Sequence, residues 1–238
     1  KRAGEMLEEG ADIIEIGGES TGPGSEDVSF EEEKRRTIDV IKAVREAYPD
    51  VRLSVDTYKS TIAAEAIDAG VTMVNDVTAG RGDLEMFSVL ARSDAPLVLM
   101  YSKDDSARTT VQETQYDDVV TTVKEFLRVR KEAAMKAGIP EERIILDPGM
   151  GHFVSSDPQY SFRLLAQLGQ LSQLGCPIFV SPSRKSFLAG SENLSTADRL
   201  PGTIAASAIA VLHGASYIRT HDILPVRRGC EIAVAIRG

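Results

Sequence analysis

The sequence predicts a (β/α)8 TIM barrel, and three observations lead there. Short, β-branched apolar runs alternate strictly with longer amphipathic stretches. Polar residues gather where those apolar runs end. Seven runs are present and a helical pattern precedes the first, so one strand upstream of Lys1 would complete eight.

The strand candidates are Asp12–Gly17, Arg52–Asp56, Met73–Val77, Leu97–Tyr101, Arg143–Asp147, Ile178–Ser181 and Tyr217–Thr220. Most are nearly all apolar, as expected of parallel strands covered on both faces. A helical pattern of Ala3, Met6 and Leu7 opens the chain. Between the strands, Phe30–Ala47 carries Ile38, Ile41 and Val44 on one stripe, and Ser29 with Glu32 makes a capping box at its start. Further helices are predicted over Ser60–Ala69, Leu84–Arg92, Tyr116–Ala137, Tyr160–Leu171, Thr203–His213 and Val226–Ala235. Gly70, Gly138 and Gly214 each follow a helix as stop signals. An open doubly wound sheet is the alternative, but Gly17-Gly18-Glu19 does not match the glycine-rich dinucleotide turn.

Composition narrows the function. The 238 residues are 42% hydrophobic and 26% charged, which suits one globular domain over residues 1–238, incomplete at its N-terminus. A net charge of −9 argues against general nucleic-acid binding, which needs clustered cations. It leaves room for a small anionic substrate. Cys176 and Cys230 have no paired spacing, so a reducing cytoplasm is expected. No apolar run approaches the length of a membrane span, and no signal peptide is visible.

The strand ends carry Glu19-Ser20-Thr21, Asp56-Thr57, Asn75-Asp76, Tyr101-Ser102, Asp147, Ser183-Arg184-Lys185 and Arg219 with His221 and Asp222. In a βα barrel these ends meet on one face, the face that carries active sites. Any one Asp or Asn there can simply cap the next helix. Arg184, Lys185, Arg219 and His221 fall in the last two loops, where barrels bind phosphate, and predict an anion site. The structural alternative pairs Arg219 with Asp222 or Asp198. Asp56, Asn75 and Asp147 suit a flat heterocycle with adjacent N–H donors, although Asp147 can equally form a turn before Pro148-Gly149.

Six segments fall in register, one per strand end: Gly17-Gly18-Glu19-Ser20-Thr21, Ser54-Val55-Asp56-Thr57, Asn75-Asp76-Val77, Asp147-Pro148-Gly149, Ser183-Arg184-Lys185-Ser186-Phe187 and Arg219-Thr220-His221-Asp222. Together they resemble the dihydropteroate synthases. The resemblance implies a folate-pathway transferase joining 6-hydroxymethyl-7,8-dihydropterin diphosphate to para-aminobenzoate. It implies that Asp56, Asn75, Met100, Asp147 and Lys185 hold the pterin, with Asp56, Lys185 and Asp147 as the catalytic set. It assigns the diphosphate to Arg219 and His221, and the aminobenzoate to Thr21, Pro23, Ser186 and the stem of Lys185. Mg2+ is the implied cofactor, through an Asn upstream of Lys1, so no metal ligand is assigned within the chain. A homodimer packed through outer helices is implied as well.

The chain departs from that pattern in places. Gly22 stands where an arginine usually sits between Ser-Thr and Pro-Gly. Gly151-His152-Phe153-Val154 replaces Gly-Phe-Gly-Lys, and Tyr101 occupies a common His position. These changes touch the aminobenzoate side and predict an altered affinity for aminobenzoate or sulfonamides. Two other functions share the pterin floor: methyl transfer from methyltetrahydrofolate to a corrinoid protein, and a degenerate barrel that only binds pterin. The methyltransferase has no need for the Ser-Arg-Lys loop or the Arg-x-His pair found here.

Overall fold

The computed structural model describes residues 1–238. Helix α1 (Arg2–Glu8) precedes seven strands: β1 (Ile13–Gly17), β2 (Arg52–Asp56), β3 (Met73–Asp76), β4 (Leu97–Met100), β5 (Ile144–Asp147), β6 (Ile178–Val180) and β7 (Ala215–Ile218). Each strand is followed by a helix: α2 (Phe30–Ala47), α3 (Ser60–Asp68), α4 (Met86–Ala91), α5 (Val119–Lys136), α6 (Pro158–Ala166), α7 (Leu200–Leu212) and α8 (Ile223–Arg237). All neighbouring strands are parallel, and their spatial order is their chain order. A doubly wound sheet reverses its strand order partway, so the barrel reading holds. The strands are seven staves, with an open seam between β7 and β1.

Strand periodicity explains the two sides of this sheet. Ile14 and Ile16, Leu53 and Val55, Leu97 and Leu99, Ile144 and Leu146 all join one continuous buried cluster with the helices. The opposite set points inward. Met73, Val98, Ile145 and Phe179 pack against Ile13 and Tyr217, forming an apolar plug with a residue from six of the seven strands. Two residues further along, the same inward face becomes polar on most strands, with Met100 the apolar exception on β4.

Local chemistry sets the element ends. Ser29 caps α2 by accepting from the Glu32 amide at 3.3 Å, as the capping box predicts. Asp118 caps Val120 and Thr121, so α5 begins at Val119 and not at Tyr116. The helix predicted over Tyr160–Leu171 stops at Ala166, and Leu168–Leu174 continues as 3-10 turns. Pro201 in the first turn lets α7 begin before Thr203. Strand β7 runs earlier than Tyr217–Thr220: it starts directly after Gly214 and ends at Ile218. Arg219 N still donates to Val180 O at 3.0 Å. Thr220 Oγ1 then accepts from Asp222 N at 3.1 Å and turns the chain into α8.

Candidate functional site

The cup is built one layer above the apolar plug. Glu15 stands two residues after Ile13, Asn75 two after Met73, Met100 two after Val98, Asp147 two after Ile145 and Arg219 two after Tyr217. The ladder places Asp56 beside Asn75 and Met100 beside Asp147. Residues far apart along the chain are thereby joined in one floor. Asn75, Met100 and Asp147 are 4%, 3% and 1% exposed, deep enough that their polar atoms see little water.

Charge organises this floor. Arg219 Nε donates to Glu15 and its Nη2 to Asp56 Oδ2 at 3.2 Å. Asn75 Nδ2 donates to Glu15 Oε2 at 3.3 Å, and so does Ser54 Oγ. Asn75 Oδ1 is buried and has no partner. Native proteins rarely leave a buried acceptor unmet, so this atom marks a place where a ligand donor fits. Asp147 Oδ1 accepts from Gly149 N at 2.7 Å. Gly149 is held at φ +69°, and a Cβ there would lie 2.4 Å from Tyr101 O. Only glycine lets the chain turn this tightly under Asp147.

Burial and mutual charge move the ionisations. Burial, reinforced by the Glu15 charge, raises Asp56 to about 7 although Arg219 opposes it. Burial raises Asp147 to about 6 against the pull of Lys185. Burial lowers Lys185 to about 8, with Asp147 holding it up. Glu15, followed by Asp56, keeps Arg219 firmly cationic. Two acids and a base are therefore brought toward neutrality in one place, a pattern associated with functional sites.

Lys185 Nζ sits over the Phe153 ring, 5.0 Å from its centroid. Gly151 lies against the same segment: a Cβ on it would stand 3.3 Å from Ser186 Oγ and 3.4 Å from Lys185 Cβ. Ser186 begins a 3-10 turn, Ser186–Ala189, beside the cup. His221 Nδ1 meets Ser183 Oγ at 2.9 Å, and burial lowers its basicity.

Other expectations resolve differently. Arg184 was grouped with the anion-site cations, but its guanidinium pairs with Asp222, Nε to Oδ2 at 2.7 Å. Arg219 ignores Asp222 and Asp198 and turns to Glu15 and Asp56. Asp76, next to Asn75, points to the outer side and accepts from Thr78 and Gly80, a loop-forming role. Thr21 and Pro23 lie on the loop of residues 18–29, and no side-chain hydrogen bond ties either to the floor. Sequence reading missed Glu15, although a lone carboxylate in phase with the inward positions of β1 was a usable signal. A cavity of about 660 Å³ lies at the open seam and touches Glu15, Arg219 and His221, but not Asp56, Asn75, Asp147 or Lys185. The chemistry sits in the cup, not in that seam cavity.

Comparison with known proteins agrees with this geometry. The family described as pterin binding enzyme matches residues 1–221. The chain is 36% identical over 233 residues to a dihydropteroate synthase of Clostridium beijerinckii, spanning 98% of this chain and 82% of that one. It resembles a Xanthomonas albilineans dihydropteroate synthase solved with 4-aminobenzoic acid, at TM-score 0.91 and 36% identity, over 99% of this chain and 83% of the other. A Burkholderia cenocepacia dihydropteroate synthase complexed with 7,8-dihydropteroate aligns at TM-score 0.91 and 34% identity, covering 99% and 85%.

Proposed function

The chain belongs to the pterin-binding enzyme family, and on that premise we propose that its cup condenses 6-hydroxymethyl-7,8-dihydropterin diphosphate with para-aminobenzoate to give 7,8-dihydropteroate and pyrophosphate. The observation that carries this reading is the floor formed by buried Asn75 and Asp147 with half-buried Asp56 beside them, Asn75 Oδ1 being unmet. An aminopyrimidine edge offers adjacent N–H donors, which suit a carboxylate and an amide oxygen side by side. Met100 supplies an apolar contact for the ring, and Lys185 completes the polar rim.

The residues perform the substitution as follows. Arg219 and His221 receive the diphosphate, and the C–O bond breaks with its electron pair leaving on pyrophosphate. Positive charge then develops on the pterin methylene and spreads into the ring. Ionised Asp56, held in the floor beside Asn75, stabilises that charge. The aminobenzoate amine attacks carbon with its own lone pair and afterwards releases a proton, so no strong base is required. Thr21, Pro23, Ser186 and the stem of Lys185 border the aminobenzoate. The hypothesis is a dissociative substitution without covalent enzyme intermediate. Trapping a protein adduct during turnover contradicts it.

Mg2+ fits the chain's own residues poorly. No three His, Cys, Asp or Glu side chains gather as a metal cage. The floor carboxylates Glu15 and Asp56 are already engaged with Arg219. We therefore assign Mg2+ only as companion of the diphosphate, an oxygen-rich ligand it favours, and no step is routed through it. An unchanged rate after chelation removes even that role.

We also read residues 1–238 as one pterin-binding domain that assembles as a homodimer. Ile209 and Leu212 on α7 and Leu224, Ile232, Val234 and Ile236 on α8 are exposed apolar side chains on two adjoining helices. A second copy supplies a matching apolar face. A monomeric mass at micromolar concentration contradicts this. Small molecules are the expected partners, and the acidic chain offers little to nucleic acid. No helix is long and apolar enough to cross a membrane. Cys176 and Cys230 are unpaired, which fits the cytoplasm.

The deciding experiment supplies both substrates to the purified protein and measures both products. The synthase reading expects pteroate and pyrophosphate in equal amounts, with Asp56→Asn slowed about 10²–10³-fold. Methyl transfer from methyltetrahydrofolate without pyrophosphate release overturns it in favour of the corrinoid methyltransferase. A rise in melting temperature with no product points to a barrel that only binds.

A further inference from the structure

Arg108 belongs to the long loop after β4, yet its guanidinium reaches the loop after β1. It donates through Nη2 to Glu19, and to the Glu26 carbonyl at 2.6 Å, and through Nη1 to Asp27. Its neighbour Thr109 completes the tie: Thr109 N donates to Thr21 O at 3.1 Å, and Thr109 Oγ1 donates to His152 O at 2.8 Å. Three loops, after β1, β4 and β5, are thus fastened at two adjacent residues.

Charge makes this tie more than a surface contact. Glu19 and Glu33 have side chains only 3% and 1% exposed, and Lys59 lies 2.6 Å from both. One lysine cannot neutralise two buried carboxylates, and Arg108 is the second cation. Burial alone would push the Glu19 carboxyl up and disfavour its ionisation, but hydrogen bonds from Lys59 and Arg108 more than offset that and hold it below the usual carboxylate range. Withdrawing Arg108 leaves a buried carboxylate short of its partner, which is costly. Lys59 comes from the scaffold and fixes Glu19 from within; Arg108 comes from a mostly exposed loop and fixes it from without. The buried Nε of Arg108 has no partner, so part of the cost of opening is recovered when water reaches it. Such a contact can hold and release.

We propose that Arg108 is a positioning residue: an electrostatic latch that fixes the segment bearing Thr21 and Pro23 in place to receive the second substrate. This deepens the reading given under Proposed function and rests on it for the identity of that substrate. Arg108 acts through Glu19, Asp27 and the Glu26 carbonyl, and touches no reacting atom. None of the direct contacts of Arg108 falls on Asp56, Asn75 or Asp147, so its main effect is expected on one substrate.

The test compares wild type, Arg108→Ala and Arg108→Lys in steady-state kinetics and in amide hydrogen exchange of residues 18–29. The expected result is an aminobenzoate KM raised about tenfold in Arg108→Ala, with the KM for the pterin diphosphate within about twofold of wild type and kcat little changed. Exchange over residues 18–29 accelerates in Arg108→Ala and not over the strands. Arg108→Lys, which keeps the charge but cannot reach all three acceptors, recovers part of both effects. Equal rises in both KM values, or no faster exchange over residues 18–29, overturn the proposal. If wild type forms no pteroate, the functional reading fails, and the exchange comparison alone then decides the latch.

Discussion

Arg219 and Glu15 are 204 residues apart in the chain, and their side chains meet across the open seam between the last strand and the first. That pair holds the guanidinium over the cup while leaving Asp56 under the influence of a second carboxylate. Glu15→Gln removes the charge that, after burial, does most to raise Asp56. The acidic limb of kcat/KM against pH then moves to lower pH. A limb that stays in place, or moves upward, shows that Glu15 does not set the ionisation of Asp56.

Asn75 separates binding from stability. Its Oδ1 already lacks a partner, so Asn75→Leu, which keeps the heavy-atom branching, removes one unmet group along with the 3.3 Å bond to Glu15. Little stability is lost, because Glu15 Oε2 keeps the Ser54 Oγ donor and the unmet Asn75 Oδ1 is gone. Pterin affinity falls on the order of tenfold or more. Unchanged affinity by calorimetry means that the ring does not sit on Asn75.

The ionisations also predict the stability of the empty protein. Asp56 and Asp147 titrate near 7 and 6 when folded, above their ordinary value of 3.8. Between about pH 4 and 7 the folded state therefore holds more protons than the unfolded state, and these groups lose stability as pH rises. Lys185 acts in the opposite sense and in a different range: lowered from 10.5 to about 8, it gains stability as pH rises from about 8 to 10.5. Asp56→Asn flattens the decline in melting temperature between pH 5 and 7. An equally steep decline in the variant contradicts the shifted carboxylate.

Gly22 has room for a side chain. A Cβ on it meets only Ser20 Oγ, at 3.5 Å. Gly22→Arg folds without strain and adds a cation to the loop that carries Thr21 and Pro23, lowering the aminobenzoate KM. Equal Michaelis constants in the two proteins remove any role for that position.

Much of the barrel was legible because its signals are local. Strand runs, the Ser29–Glu32 box and the glycines after helices depend on neighbours a few residues away. The floor residues were legible because Asp56 and Asp147 end strands and Asn75 is the last residue but one of β3. Glu15 was not, since it lies within an apolar strand and its partners Arg219 and Asn75 are distant. Arg184 looked like an anion-site cation, but Asp222 lies 38 residues on and folds back onto it. Arg108 was illegible for the same reason: nothing near residue 108 in the chain announces Glu19. The start of β7 was misplaced because Ala215 and Ser216 carry little strand character; Ala215 is recruited by pairing with Ile178, and Ser216 is the extra residue at the irregularity that follows.

The most direct test of the cup is the proton count when 6-hydroxymethyl-7,8-dihydropterin, without its diphosphate, binds near pH 6.5. Calorimetry in buffers of different ionisation enthalpy measures it. A ring that donates N–H bonds to Asp56 and Asp147 favours their ionised forms, so binding releases protons, and the release shrinks in Asp56→Asn and Asp147→Asn together with affinity. Binding with no proton release, and with equal affinity in both variants, means that these carboxylates do not hold the pterin.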